Sequence, residues 1–413
     1  MAAPAMGMGL DETDLEAEEQ DATRATWTLN FGPQHPATHT TLRLILELDG
    51  ERIVKATPDI GYLHSGFEKL GEHLTFNQYV TIVDRKNYIS PPMNEVAWFH
   101  AVEKLLEVEL TPRCQYIRVI ISELARMSDH LLCTGAAALD LGAFTAFLYS
   151  FNLRELIYDV YEEMSGYRFH PGYLRIGGVL YDFNERVLDR IRKVLDAFPK
   201  VYADVSKLLF RNRIFLDRVR GIGVLTKEQA LAHSCSGPLA RASGVTYDLR
   251  KDEPYLCYPE LDFDVPYTTE GDSWARFIVR MEELRQSHRI LEQAIRKLPT
   301  GPVNVPIAEK FPLPDKLTAY NSMEGLIQHF ELIMPNRGHQ SPVDEVYAAV
   351  ESPNGELGYY LVTDGTQSGW RVRTRPPSFI HFSVFPLLIK DHLIADIVAV
   401  LGSLNIIAAE LDR

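Results

Sequence analysis

The stretch from Pro112 to Gly166 constrains this chain more than any other. It contains few helix breakers, it is opened by a proline of the kind tolerated in a first helical turn, and it ends at a glycine. One helix is expected from Pro112 to about Gly135 and a second from near Gly142 to Gly166, within a helical region spanning 94–165. Two amphipathic helices are expected at 184–217 and 273–298. In the second of these, Trp274, Phe277, Ile278, Met281, Leu284 and Ile290 recur at helical spacing. Residues 218–272 are rich in Gly, Pro and Tyr and read as irregular, and the five prolines of 299–316 read as a connector.

Both ends of the chain carry strand patterns. Leu42, Leu44, Leu46 and Leu48 alternate with Thr41, Arg43, Ile45 and Glu47, a period of two. Asp49-Gly50 is a hairpin turn signal, and Ile53 to Ala56 is the return strand. The segment GPQHPATH reads as the tip of a further hairpin, because its Gly and Pro residues oppose regular structure. Strand-like runs occur at 346–351, 357–363 and 370–374, with a helix expected near 388–401. The fold class is therefore α+β, a helical central bundle with β-containing N- and C-terminal lobes. The expected divisions are a disordered acidic tail at 1–24, a β-rich lobe at 25–93, a helical core at 94–300 with the irregular insertion 218–272, and an α+β lobe at 301–413.

The net charge of −14 argues against a nucleic-acid surface, which needs a basic excess. Half of that excess lies in residues 11–21, which hold seven acids and no base, the pattern of a solvated tail. No secretory signal is expected, and no run approaches the roughly 18 apolar residues that a bilayer span requires. The best stretch, Ala136 to Phe151, is interrupted by Asp140 and Gly142. Any membrane association is thus expected through partners. Cys114, Cys133, Cys235 and Cys257 are scattered and form no CxxC pair, which points to reduced thiols and away from a disulfide framework or zinc ribbon.

Four groups of residues could carry chemistry. His35 and His39 are spaced for a metal only if helical, which Pro36 opposes. The alternatives are a structural hairpin tip or a loop presenting His39 to a polar ligand. Tyr88, in DRKNY, either packs or donates to a ligand, since a phenol with its pKa near the usual value of about 10 is a donor at neutral pH. Glu123, Arg126 and His130 share one helix face, as an internal ion-pair network or as part of a site. Asp140, alone in AAALDLGAF, is either a cap or a buried charge that needs a partner.

Taken together, LNFGPQHPATH (29–39), GYLHSGFEKLGEH (61–73), DRKNY (84–88), ELARMSDHLL (123–132) and LDLGA (139–143) resemble the signatures of the 49-kilodalton, D-type subunit family of complex I, the NADH:quinone oxidoreductase of respiratory chains. The likeness continues through YLRIGGV (173–179), SGPLARASGVTYDLRKDEPY (236–255), FDVPYTTEGD (263–272), RMEELRQSHRI (280–290), GELGYYLVTDG (355–365) and the terminal LDR, nearly the whole chain after residue 25. The family is in turn similar to [NiFe]-hydrogenase large subunits, whose two CxxC pairs fall about where DRKNYIS (84–90) and GSLNIIAAELDR (402–413) stand here. Neither segment has a cysteine, so the thiolates that such a cluster requires are missing.

The resemblance implies a quinone headgroup in place of the metal, held by Tyr88 and His39, with Asp140 partnering the histidine. It implies no metal in this chain. Electrons would come from a [4Fe-4S] cluster in an adjacent B-type subunit. The C-type and I-type subunits and the H-type membrane subunit would be neighbours, on the cytoplasmic side of a bacterial inner membrane. Relatives fed by ferredoxin or another donor, and a purely structural assembly subunit, are the alternative readings. Two positions depart from the family pattern. Asn87 stands where an acid is common before the Tyr. Ser65 stands where an Arg is common, which leaves tuning of the neighbour's cluster in question.

Overall fold

The computed structural model describes residues 26–38, 41–305, 314, 316–334 and 340–413. The acidic segment 1–24 and His39 lie outside the described residues, and so does half of the proline-rich connector.

The N-terminal sheet follows the alternation closely. Strands β1 (Trp27–Phe31), β2 (Arg43–Asp49) and β3 (Arg52–Asp59) form an antiparallel sheet in that order. Leu44, Leu46 and Leu48 on β2 are fully buried, whereas Arg43 and Glu47 face outward and pair across strands with Asp59 and Lys55. Gly32 turns the chain after β1 at φ +86°, and a Cβ there would stand 2.1 Å from the Leu42 carbonyl oxygen, so only glycine fits.

The middle of the chain is helical: α1 (Pro91–Leu105), α2 (Pro112–Asp140), α3 (Phe144–Ser165), α4 (Glu185–Leu209) and α5 (Ser273–Lys297). Thr111 caps α2 by accepting from Cys114 N, with Pro112 in the first turn. Gly166 ends α3 in the left-handed conformation. The expected stop near Gly135 is wrong, because α2 continues to Asp140. Gly135 has a packing role instead: a Cβ there would be 3.2 Å from Ser150 Cβ and 3.3 Å from Phe147 Cα, so its absence lets α3 lie close. The segment 218–272 is less irregular than expected, since short helices Lys227–Ala232 and Gly237–Ala242 sit within it. The first is fixed by a reciprocal capping box between Thr226 and Gln229.

A second antiparallel sheet, β4 (Glu345–Ser352), β5 (Gly355–Val362) and β6 (Arg371–Arg375), packs its inner residues Val350, Tyr359 and Leu361 into the helical core. The N-terminal sheet belongs to a different core, shared with Phe382, Phe385, Leu388, Val400, Leu404 and Leu411 near the C-terminus. The helix expected at 388–401 is interrupted: Phe385–Ile389 ends, and α6 (Asp396–Leu404) begins later. The intervening backbone instead pairs with the β2–β3 hairpin, through Asp391 N to Ile53 O and Ile53 N to His392 O. A last short helix, α7 (Ala408–Asp412), closes the described chain. No helix among the described residues is long and apolar enough to cross a membrane.

Leu46→Ala should lower stability by about 2–5 kcal/mol, because a fully buried side chain leaves a cavity between the sheet and the C-terminal helices. Truncating the exposed Trp27 to Ala should shift the thermal midpoint far less. Thermal unfolding of the two variants checks both.

Candidate functional site

Three sequence-distant motifs converge on residues 402–413. The first is the turn 84–90. After the short helix Val80–Val83, successive turn hydrogen bonds carry the backbone to α1, and Asn87 Oδ1 accepts from Ile89 N and Ser90 N at 3.2 and 3.4 Å. Asn94 on α1 donates to the Asn87 carbonyl at 3.0 Å. Asn87 therefore shapes the turn that presents Tyr88, which is an acceptor role that an acid would also fill. Tyr88 itself is half-buried. Burial pushes its phenol above the usual value, which keeps the hydroxyl protonated, and no described residue hydrogen-bonds it. Lys86, on the same turn, points into the protein toward Glu410 and Arg413, whose charges act on it.

The second motif is the loop after β1. A one-turn helix at Pro36–Thr38 is held by Thr38 Oγ1 donating to the His35 carbonyl at 2.9 Å and by Ala37 N donating to His35 Nδ1 at 3.1 Å. His35 is thus an acceptor within its own turn, its ring 4.4 Å from that of Phe31. Ala37 packs into the same core as Leu404 and Leu411. His39, the next residue but one, lies outside the described residues.

The third is the end of α2. Asp129 accepts from Asn405 Nδ2 at 2.7 Å, and Cys133 Sγ donates to the Gly402 carbonyl at 3.6 Å. Asn405 ends α6 in the left-handed conformation, which asparagine tolerates, and its side chain also reaches Asn354 Oδ1 at 2.7 Å. Asp140 is the last residue of this helix and is exposed, so of the two readings, cap or buried charge, the buried charge does not hold. The terminal LDR is also engaged. Leu411 is in the core, Asp412 accepts from Gly61 N and Leu63 N at 2.9 and 2.6 Å, and the Arg413 guanidinium lies 3.9 Å from the Phe379 ring centroid. Ser65, in the loop that Asp412 holds, is exposed and donates to the Leu63 carbonyl at 3.4 Å.

Behind these segments lies a charge network with no solvent exposure. Arg126 contacts Glu123 at 3.3 Å, and Glu123 also accepts from Tyr258 and Ser287 at 2.7 Å each. Arg250 bridges Glu123 and Asp248, and Arg241 bridges Glu283, Glu351 and Asp248. His130 Nε2 lies 2.7 Å from Glu283. Burial holds His130 below its usual pKa despite that carboxylate, so we read it as a neutral ring donating from Nε2. Glu283 is also held well below its usual value: burial opposes its ionisation, yet Arg241 and the hydrogen bond from His130 outweigh burial and keep it charged. The geometry supports the internal ion-pair reading for Glu123 and Arg126, while His130 joins the network as a neutral hydrogen-bond donor to Glu283.

Residues 140–413 match the family described as respiratory-chain NADH dehydrogenase, 49 Kd subunit. The chain is 46% identical over 403 residues to the NADH-quinone oxidoreductase D-type subunit, copy 1, of Chloroherpeton thalassium, covering 97% of this chain and 91% of that protein. It is 47% identical to copy 2 of the same subunit in Sinorhizobium medicae, covering 97% of this chain and 99% of the relative. It is 46% identical to the corresponding protein of Geotalea uraniireducens, covering 95% and 100%. The chain belongs to the 49-kilodalton subunit family of NADH-quinone oxidoreductase. It is a subunit of an oxidoreductase complex.

Within this 49-kilodalton-family chain, sequence reasoning missed Lys86, Asp129, Asn405 and Glu410. Each lies inside a quoted motif; Asn405 and Glu410 stand between apolar neighbours, a signal that could have found them, whereas Lys86 and Asp129 stand among polar residues and offered none. All four cysteines are buried and unpaired. Burial raises the thiols of Cys133 and Cys235 to about 11, so both are protonated and poor ligands. Among the described residues no group of three or more His, Cys, Asp or Glu could hold a metal ion.

Asp248 supplies a pH prediction. Burial opposes its ionisation, but Arg250 and Arg241 prevail and hold it at about 2, below the value of about 3.9 expected when unfolded. Its stabilisation is complete above that unfolded value and is lost as pH falls through about 2. Asp248→Asn should therefore flatten part of the acid limb of stability against pH. It should also lower neutral stability by about 3–5 kcal/mol, by leaving buried arginines underpaired. Thermal midpoints measured across that pH range check both effects.

Proposed function

We propose that this chain forms the protein wall of the quinone site in a proton-translocating NADH:quinone oxidoreductase. The observation that carries the reading is the convergence of the Tyr88 turn and the loop leading to His39 on the C-terminal segment, with the Tyr88 hydroxyl protonated and free of described partners. The names of the relatives, which describe NADH-quinone oxidoreductase subunits, favour a quinone as substrate.

A quinone ring has carbonyl oxygens on opposite edges, and its reduction to a quinol consumes two electrons and two protons. Tyr88 would donate to one oxygen and His39 to the other, each supplying a proton as charge develops. Asp140, at the open end of α2, would raise the proton affinity of His39 and respond when that histidine gives its proton up. Electrons would arrive from a [4Fe-4S] cluster in the adjacent B-type subunit, since scattered buried thiols cannot ligate one here. The C-type, I-type and membrane-embedded H-type subunits would complete the chamber, with this chain peripheral on the cytoplasmic side. The hydrogenase-like ancestry is part of the same reading: the turn 84–90 and the segment 402–413 are where metal-binding cysteine pairs would stand, and the pocket between them would have been taken over by a redox lipid.

Tyr88→Phe and His39→Ala, made in the assembled complex, should each lower quinone reductase turnover by about 100-fold or more, with NADH oxidation by ferricyanide unchanged. Asp140→Asn should give a smaller loss. Full turnover in both of the first two variants would sink the reading and favour a purely structural subunit.

A further inference from the structure

Lys86 is 1% exposed, and its ammonium donates one hydrogen bond, to Thr374 Oγ1 at 2.6 Å. Three ring faces also lie near it, with the centroids of Tyr359, Tyr79 and Phe67 at 4.4, 5.3 and 6.0 Å. An ammonium carries three donors, and aromatic faces replace only part of what water supplies. Glu410, on α7, is equally buried. Its Oε2 accepts from the Ser378 hydroxyl, and its Oε1 has no partner among the described residues. Asp129 repeats the pattern, with Oδ1 on Asn405 and Oδ2 without a described partner. The Tyr359 hydroxyl, on the ring beside Lys86, is likewise without one. Buried polar atoms are rarely left in this state, and where they cluster they mark internal water or an exchangeable proton.

The electrostatics point the same way. Burial draws Lys86 down to about 7, with Glu68 and Glu410 resisting and Arg413 adding to the fall. Burial lifts Glu410 to about 8, with Asp129 adding to the rise and Lys86 opposing it. Tyr79, Glu410 and Asp84 act in turn on Tyr359, whose phenol burial keeps protonated. Both Lys86 and Glu410 therefore change protonation near neutrality, and Lys86 stands two residues before Tyr88 on one turn.

We propose that Lys86 and Glu410 form a buried proton-exchanging pair that reprotonates the Tyr88 side of the quinone site. The inference rests on Tyr88 being a quinone donor. As two electrons arrive from the neighbouring subunit's cluster, the Tyr88 O–H bond breaks and its proton bonds to one quinone oxygen. The other quinone oxygen takes its proton from His39. The Tyr88 phenolate then takes a proton from the pair through internal water, and the pair recovers one from solvent. Lys86 and Glu410 act through Tyr88 and are positioning residues for its proton.

The test is quinone reductase turnover of the assembled complex from about pH 6 to 9, a range that spans both groups, in wild type, Lys86→Met and Glu410→Gln. NADH oxidation by ferricyanide on the same preparations counts the assembled complex. Wild-type turnover is expected to fall as pH rises through about 7–8, where the pair loses its protons. In both variants that fall should vanish, with turnover at the acid end about 10-fold or more below wild type. If one variant fails to assemble, the other decides. Profiles parallel to wild type, or loss of assembly in both, overturn the proposal. Tyr88→Phe in the same assay separates the two readings. Full turnover there removes the binding role of Tyr88, whereas loss of turnover beside unchanged Lys86→Met and Glu410→Gln profiles removes the proton pair alone.

Discussion

Taking an arginine or a carboxylate out of water costs several kcal/mol unless a counter-charge and hydrogen bonds receive it. Along α2 this chain buries Glu123 and Arg126 completely, and it recovers the cost only because Arg241, Asp248, Arg250, Glu283 and Glu351 arrive from four other segments. None of those segments can move far without stranding a charge. The interior is therefore held in one arrangement by directional bonds, whereas an apolar core of the same size would tolerate sliding. That rigidity is inherited by α5, by the β4 strand that carries Glu351, and by the lower half of α2, whose far end carries Asp140.

A second constraint acts on the same stretch of α2, at Asp129 and Cys133. Residues 402–413 bear on all three motifs: Leu404 and Leu411 share a core with Ala37, the Glu410 carboxyl acts electrostatically on Lys86, and Asn405 donates to Asp129. Both regions keep buried polar atoms without a described partner: Arg126 Nη1 and His130 Nδ1 in the network, and Glu410 Oε1 and Asp129 Oδ2 beside the C-terminal segment.

Much of the scaffold was legible from local pattern. Period-two leucines marked β2, and Asp49-Gly50 marked its turn, because a strand with one buried face writes that face into every second residue. Pro112, Thr111 and Gly166 marked helix ends through backbone chemistry that needs no tertiary partner. Gly135 misled, since a glycine that ends a helix and a glycine that admits a neighbouring helix look alike until the neighbour is known. The broken helix after Ile389 was hidden for the same reason, as its competitor was a hairpin more than 300 residues upstream. At the candidate site, Tyr88 was proposed through resemblance, and Glu123, Arg126 and His130 were singled out through helical spacing. Lys86 and Glu410 were not, because their meaning arises only when the two ends of the chain meet.

That meeting has a temporal side. Gly61 and Leu63 are tied by Asp412, a residue about 350 positions later in synthesis. At a translation rate of roughly 5–20 residues per second, the loop waits about 20–70 s for its anchor to be made. Throughout that interval the turn bearing Lys86 and Tyr88 also lacks Glu410 opposite it. The contacts between the turn 84–90, the loop 61–65 and the C-terminal segment are thus among the last that the chain can make.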